Sequence, residues 1–164
     1  MAMILPVAID YPADLATRIG FLLSRAHVVA REGADRALGE LGLTAKGYAA
    51  LATVISDGPI SQRRLSSRIR MDPATMVDVI DALEQSGHVV RQRNPQDRRE
   101  YALVTTPAGR ALFARARKAL DAAQRETLRD LNPAETEQLR ELLGRIARRP
   151  GRPTTAETER SLLG

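Results

Sequence analysis

The 164-residue chain is long enough for one substantial core and short for two independent domains. Its 43% hydrophobic and 27% charged content is that of a globular protein, but aromatics are only 3% and Trp is absent, so Leu, Ile, Val and Ala must build the core and helices are favoured over a sandwich or barrel. The net charge of +5 is almost all arginine, while the absence of Cys excludes disulfides, thiol nucleophiles and thiolate metal sites, and two histidines leave little for any other metal.

The apolar start Met1 to Ile9 is broken by Pro6 and lacks both a basic beginning and a cleavage-like site. No apolar run is long enough to span a membrane, and a cytoplasmic location is expected. From Pro12 to about Gly39, Leu15, Ile19, Leu22, Ala26, Val29 and Leu38 follow helical spacing and predict one long first helix. A second begins at Leu43-Thr44, buries Tyr48, Leu51, Val54 and Ile55, and stops at Asp57-Gly58-Pro59. Ser61 is placed to cap a short third helix to Ile69, with Ile60 and Leu65 as a hydrophobic staple. About two residues later, Asp72-Pro73 repeats the start signal for a fourth helix that buries Met76, Ile80 and Leu83 and ends at Gly87.

The period then changes. His88 to Arg91 and Tyr101 to Thr105 alternate like strands about the turn Asn94-Pro95-Gln96-Asp97, which predicts a basic hairpin. A fifth helix starts at Thr106-Pro107 with an apolar face through Leu112, Ala116, Leu120, Ala123 and Leu128. Asn132-Pro133-Ala134-Glu135 has the layout of a capping box for a sixth, with Leu139, Leu142, Leu143 and Ile146 inward. Beyond Arg148, the Pro, Gly, Thr and Arg content reads as a disordered basic tail, and its Gly-Arg-Pro core resembles a minor-groove hook, although a solvated end is the simpler reading.

Two short helices in tandem followed at once by an arginine-rich hairpin form a winged helix-turn-helix pattern, mainly α with a small β wing. The second helix of such a pair fits the DNA major groove with its first turn aimed at base edges, here Asp72, Ala74, Thr75, Met76 and Asp78. Charge agrees with this. Arg63, Arg64, Arg68 and Arg70 follow Ser61 with no acid among them, and the hairpin adds Arg91, Arg93, Arg98 and Arg99 against Asp97 and Glu100. Ser66, Ser67, Asp78 and Asp81 lie near one another, yet neither His27 nor His88 is placed as a base, so they read as caps and solvated helix faces and no catalytic residue, cofactor or metal is expected.

Several stretches together resemble the MarR family of bacterial transcription regulators: Ser61-Gln62 with Leu65, Met71 to Val77, Asp81-Ala82-Leu83-Glu84, Gly87 to Arg91, Asn94 to Arg99, and Leu103 to Gly109. The resemblance implies a single domain of six helices and a wing. Residues 12–42 and 107–148 would form dimerisation helices, 44–105 the DNA-binding lobe and 149–164 the tail. It implies a homodimer on near-palindromic double-stranded DNA, acting as a repressor. On matching positions, Thr75 and Met76 meet the major groove and Ser61 and Gln62 contact phosphates. Arg99 reaches the minor groove, and Asp97 orients neighbouring arginines. Asp78 departs from the Arg or Asn of many relatives. Relatives often bind a small anionic aromatic effector between the dimerisation helices and the DNA-binding lobe, where Arg25, His27 and Tyr48 are the candidates; the plainer reading makes His27 an interface residue and Tyr48 core. The rival function is a winged-helix module whose basic face meets an acidic protein.

Overall fold

A computed structural model describes residues 11–93 and 101–148. The chain divides between Thr127 and Leu128 into two compact units. The first contains α1 (Ala13–Ala16), α2 (Ile19–Gly39), α3 (Ala45–Asp57), β1 (Ile60–Ser61), α4 (Gln62–Ile69), α5 (Pro73–Gln85), β2 (Val89–Arg93), β3 (Tyr101–Thr105) and α6 (Pro107–Thr127), and the second contains α7 (Pro133–Ala147).

Capping side chains set most of the boundaries. Thr44 Oγ1 accepts from the Gly47 amide at 3.0 Å, and Asp72 Oδ1 accepts from the Thr75 amide at 2.9 Å. Ser61 Oγ accepts from Arg64 at a longer 3.4 Å. Asn132 and Glu135 form the expected capping box, each side chain accepting from the other's backbone. Every such bond satisfies a donor that the first helical turn leaves without a partner.

Three features differ from the sequence reading. The expected first helix is broken at Thr17-Arg18: the Thr17 hydroxyl donates back to the carbonyls of Ala13 and Asp14, and Arg18 is extended before α2 begins. A β-branched hydroxyl competes for helical acceptors in this way, and the described residues therefore hold seven helices instead of six. Ile60 and Ser61 also pair antiparallel with Leu103 and Ala102, so the wing sheet has three strands in the order β1-β3-β2. Three residues, Arg70 to Asp72, separate α4 from α5, and Arg70 takes a left-handed φ of 52°. The Met71 amide then bonds back to the Ser66 carbonyl and closes the turn.

The core of the first unit lies where α3, α4, α5 and the sheet converge. Leu51, Leu65, Met76, Ile80, Val89 and Leu103 are fully or almost fully buried there, each contributing about 1.5–3 kcal/mol by leaving water. Ile60 and Leu65, the predicted staple, both enter this core. Leu112 and Ala116 of α6 are buried, and Leu120 packs against the core. The apolar face predicted for the first helix is buried at Leu38 only, with Ile19 72% exposed and Val29 half-exposed. In α7, Leu142, Leu143 and Ile146 are likewise exposed in the single chain. Among the described residues these apolar side chains stay uncovered. No helix among the described residues is long and apolar enough to cross a membrane.

Candidate nucleic-acid interface

The start of α4 presents Arg63 and Arg64 to solvent, and its end presents Arg68 and Arg70. Arg68 Nε bonds Asp57 Oδ2 at 3.1 Å. Hydrogen bonds from Ser56 and Arg68 hold the Asp57 carboxyl below its ordinary pKa. Arg63, Arg64 and Arg70 make no ion pair among the described residues, so three cations on one short segment stay available to phosphates. Gln62, Arg63, Ser66, Arg70, Met71 and Val77 help line a surface groove of about 480 Å3 between α4 and α5.

On α5, Asp72 caps the first turn, and the hydrogen bonds it accepts at Thr75 lower its pKa. Ala74, Val77 and Asp78 are exposed, and Thr75 is half-buried. Met76 is fully buried. The expectation that its side chain meets base edges is therefore corrected: it lies on the opposite face and anchors the helix to the core. Val77, 42% exposed beside Asp78, was missed. Its three-residue spacing from Ala74 was the available signal.

Arg91 on β2 is another correction, because its cation is not free for DNA. Its guanidinium donates to Asp81 Oδ1 at 2.6 Å and to Glu84, both on α5, and to the Gln62 side-chain oxygen at 3.3 Å. Its backbone amide bonds Glu84 Oε1 at 3.1 Å. Burial opposes the charge, but Asp81 and Glu84 outweigh it and raise the Arg91 pKa above its ordinary value. Asp81, read from sequence as a solvated acid, is thus an internal partner. The Ser66 hydroxyl donates to the Met71 carbonyl within the turn.

Ser61 sits at the cap of α4, and Gln62 is half-buried with its oxygen taken by Arg91. Arg93 is exposed at the end of β2. Asp97, Arg98 and Arg99 lie outside the described residues. The effector candidates engage different neighbours: the Arg25 guanidinium lies 5.6 Å from the Tyr11 ring centroid, Tyr48 stacks on Phe113 at 5.3 Å, and His27 is exposed. No group of three or more metal-ligating side chains occurs among the described residues.

The sequence matches the model of the MarR family over residues 43–101. It is 32% identical over 136 residues to a putative transcriptional regulatory protein for the hcr operon of Thauera aromatica, covering 82% of each chain. The chain belongs to the MarR family. Among solved MarR-like structures, CouR from Rhodococcus jostii RHA1 bound to p-coumaroyl-CoA matches at a TM-score of 0.70 and 30% identity, covering 86% of this chain and 99% of that one. CouR bound to a 23-mer DNA duplex matches at a TM-score of 0.75 and 28% identity, covering 83% and 96%. The family match spans α3, the helix pair α4–α5 and β2, the elements that carry the arginine-rich face.

Proposed function

We propose that this MarR-family protein is a homodimeric transcription repressor that sets two copies of α5 into successive major grooves of a near-palindromic operator and is released by a small effector. The observation that carries this reading is the juxtaposition of the exposed face of α5 with Arg63, Arg64 and Arg70 on the adjoining helix and turn, three arginines that make no ion pair among the described residues. A helix pair with that charge grips phosphates with one member and reads bases with the other. The DNA-bound form of CouR supports it.

Dimerisation is supported by the uncovered apolar residues Ile19 and Val29 on α2 and Leu142 and Ile146 on α7. Residues 12–42 and 107–148 would supply that interface, with 44–105 as the DNA-binding lobe. Ser61, Gln62 and Arg63 would hold phosphates, and the wing arginines Arg93, Arg98 and Arg99 would extend the contact, steadied by Asp97. CouR binds p-coumaroyl-CoA, which favours an anionic aromatic effector here, with Arg25, His27 and Tyr48 as first residues to test. The site of action is the cytoplasm, where the chromosome lies.

The deciding experiment is a titration of the purified protein against its own upstream DNA at several salt concentrations, with the mass in solution measured in parallel. A dimer whose affinity falls steeply with salt is expected. A monomer that ignores DNA and captures an acidic protein would replace this reading with the interaction-module one.

A further inference from the structure

The exposed chemistry of α5 is unusual for a helix that reads bases. From Pro73 to Glu84 it carries no Arg, Lys, Asn or Gln, the side chains that make bidentate contacts to guanine or adenine. Gln85 is the last residue of the helix, at the end away from its first turn, and past Pro73 the outward face of the N-terminal half is formed by Ala74, Val77 and Asp78, neighbours at three- and four-residue spacing. Asp78 has no ion pair among the described residues, whereas Asp81, one turn further on, is consumed by Arg91. The groove-facing surface is thus two apolar groups beside one free acceptor.

Resting on the DNA-binding reading above, we infer that α5 recognises a pyrimidine-rich core, with thymine methyl groups against Ala74 and Val77 and a cytosine amino group donating to Asp78. In the major groove only cytosine and adenine offer an amino donor, and adenine places the N7 acceptor next to it. A carboxylate has no hydrogen to give N7, and its second oxygen would repel it, so cytosine is preferred. Guanine and thymine present acceptors at this edge and are rejected by the same carboxylate. The methyl of thymine is the one apolar group on the major-groove edge of an ordinary base pair, and it is the natural partner of an exposed valine. Ala74 to Asp78 rises about 6 Å along the helix, so these contacts span about two base-pair steps.

The test begins by selecting bound sites from random duplexes with the full-length protein. Enrichment of a core holding adjacent thymine and cytosine is expected. Replacing each core thymine by uracil, which removes only the methyl, is expected to weaken binding about threefold to fourfold per contacted methyl. In Val77→Ala the uracil and thymine sites should bind alike at the position read by Val77. Asp78→Asn should move the preferred base at its position from cytosine to adenine, by roughly fivefold or more. Both side chains are exposed, and unchanged thermal unfolding of the variants excludes misfolding as the cause. Selected sites indifferent to uracil, or an Asp78→Asn variant with unaltered preference, would overturn this inference and leave DNA binding standing. Enrichment of no duplex at all would overturn the DNA-binding reading and this inference with it.

Discussion

Asp81 on α5 accepts a 2.6 Å hydrogen bond from the guanidinium of Arg91 on β2, which ties this strand of the wing to the helix beside it. Glu84 and Gln62 complete the cradle, so one arginine joins β2, α5 and α4. The wing and α5 therefore have a fixed relation at this point.

Arg91→Leu is expected to lower stability by about 1–2 kcal/mol, because it strips two partly exposed carboxylates of their partner. Urea unfolding measures this. Arg91→Lys should restore only part of the stability, since an ammonium lacks the planar fork that reaches three acceptors at once. Affinity for DNA should fall in Arg91→Leu with the salt slope unchanged, whereas removing a phosphate-binding cation would change that slope.

Met76→Ala should destabilise the protein by about 2–5 kcal/mol, as expected for a cavity in a closed core. Val77→Ala, one residue away, should stay within about 0.5 kcal/mol. Parallel denaturant curves would separate the anchoring face of α5 from its exposed face. Equal destabilisation by the two would contradict the orientation of the helix.

Gly109 is buried at the start of α6, where an added Cβ would lie 2.1 Å from the His88 carbonyl oxygen and 2.8 Å from Thr105 Cγ2. The first of these is backbone and cannot swing aside. Gly109→Ala should cost about 1–3 kcal/mol, as overpacking does, and calorimetry should show a lower Tm. A silent substitution would mean that α6 shifts freely against the sheet.

Acid should weaken the fold through Asp57 and Asp72. The Ser56 and Arg68 bonds depress the folded-state pKa of Asp57, and the Thr75 bonds depress that of Asp72, both from an ordinary value of 3.8. A depressed carboxyl stabilises the fold at pH above its unfolded value, and that stabilisation is lost as pH falls through the lower folded value. Thermal unfolding followed downward from neutral pH should show the loss beginning near 3.8 and below. Asp72→Asn, which keeps a capping side chain without a charge, should have a shallower acid limb.

Arg63→Ala should weaken binding to specific and unrelated DNA alike and reduce the slope of log affinity against log salt by about 0.9 for each phosphate no longer neutralised. Arg68→Ala should do less, because Asp57 already neutralises that cation. Fluorescence anisotropy over a salt series would measure both. Matching slopes for the two variants would count against Arg63 as a phosphate ligand.

The elements that place the helix pair could be read from local signals alone. Thr44, Ser61, Asp72 and Asn132 each stand where a first turn needs an acceptor, and each caps its helix. The hydrophobic period placed Met76, Ile80 and Leu83 inward, as found. The same period sets Met76 against the core and away from any base edge. Strand β1 escaped notice because two residues are too few to show an alternating pattern. The break at Thr17 escaped because the apolar spacing of Leu15 and Ile19 runs straight across it.

Fold class, the winged helix-turn-helix order and the basic character of its face were determined by sequence, because caps, turn residues and apolar period act over a few neighbouring positions. Which charges remain free was decided only by tertiary structure. Arg63 and Arg91 look alike in sequence, yet Arg91 is enclosed by Gln62, Asp81 and Glu84, twenty-nine, ten and seven residues away. An ion pair depends on distance in space, and nothing in the local pattern around Arg91 encodes which carboxylates the fold will bring to it.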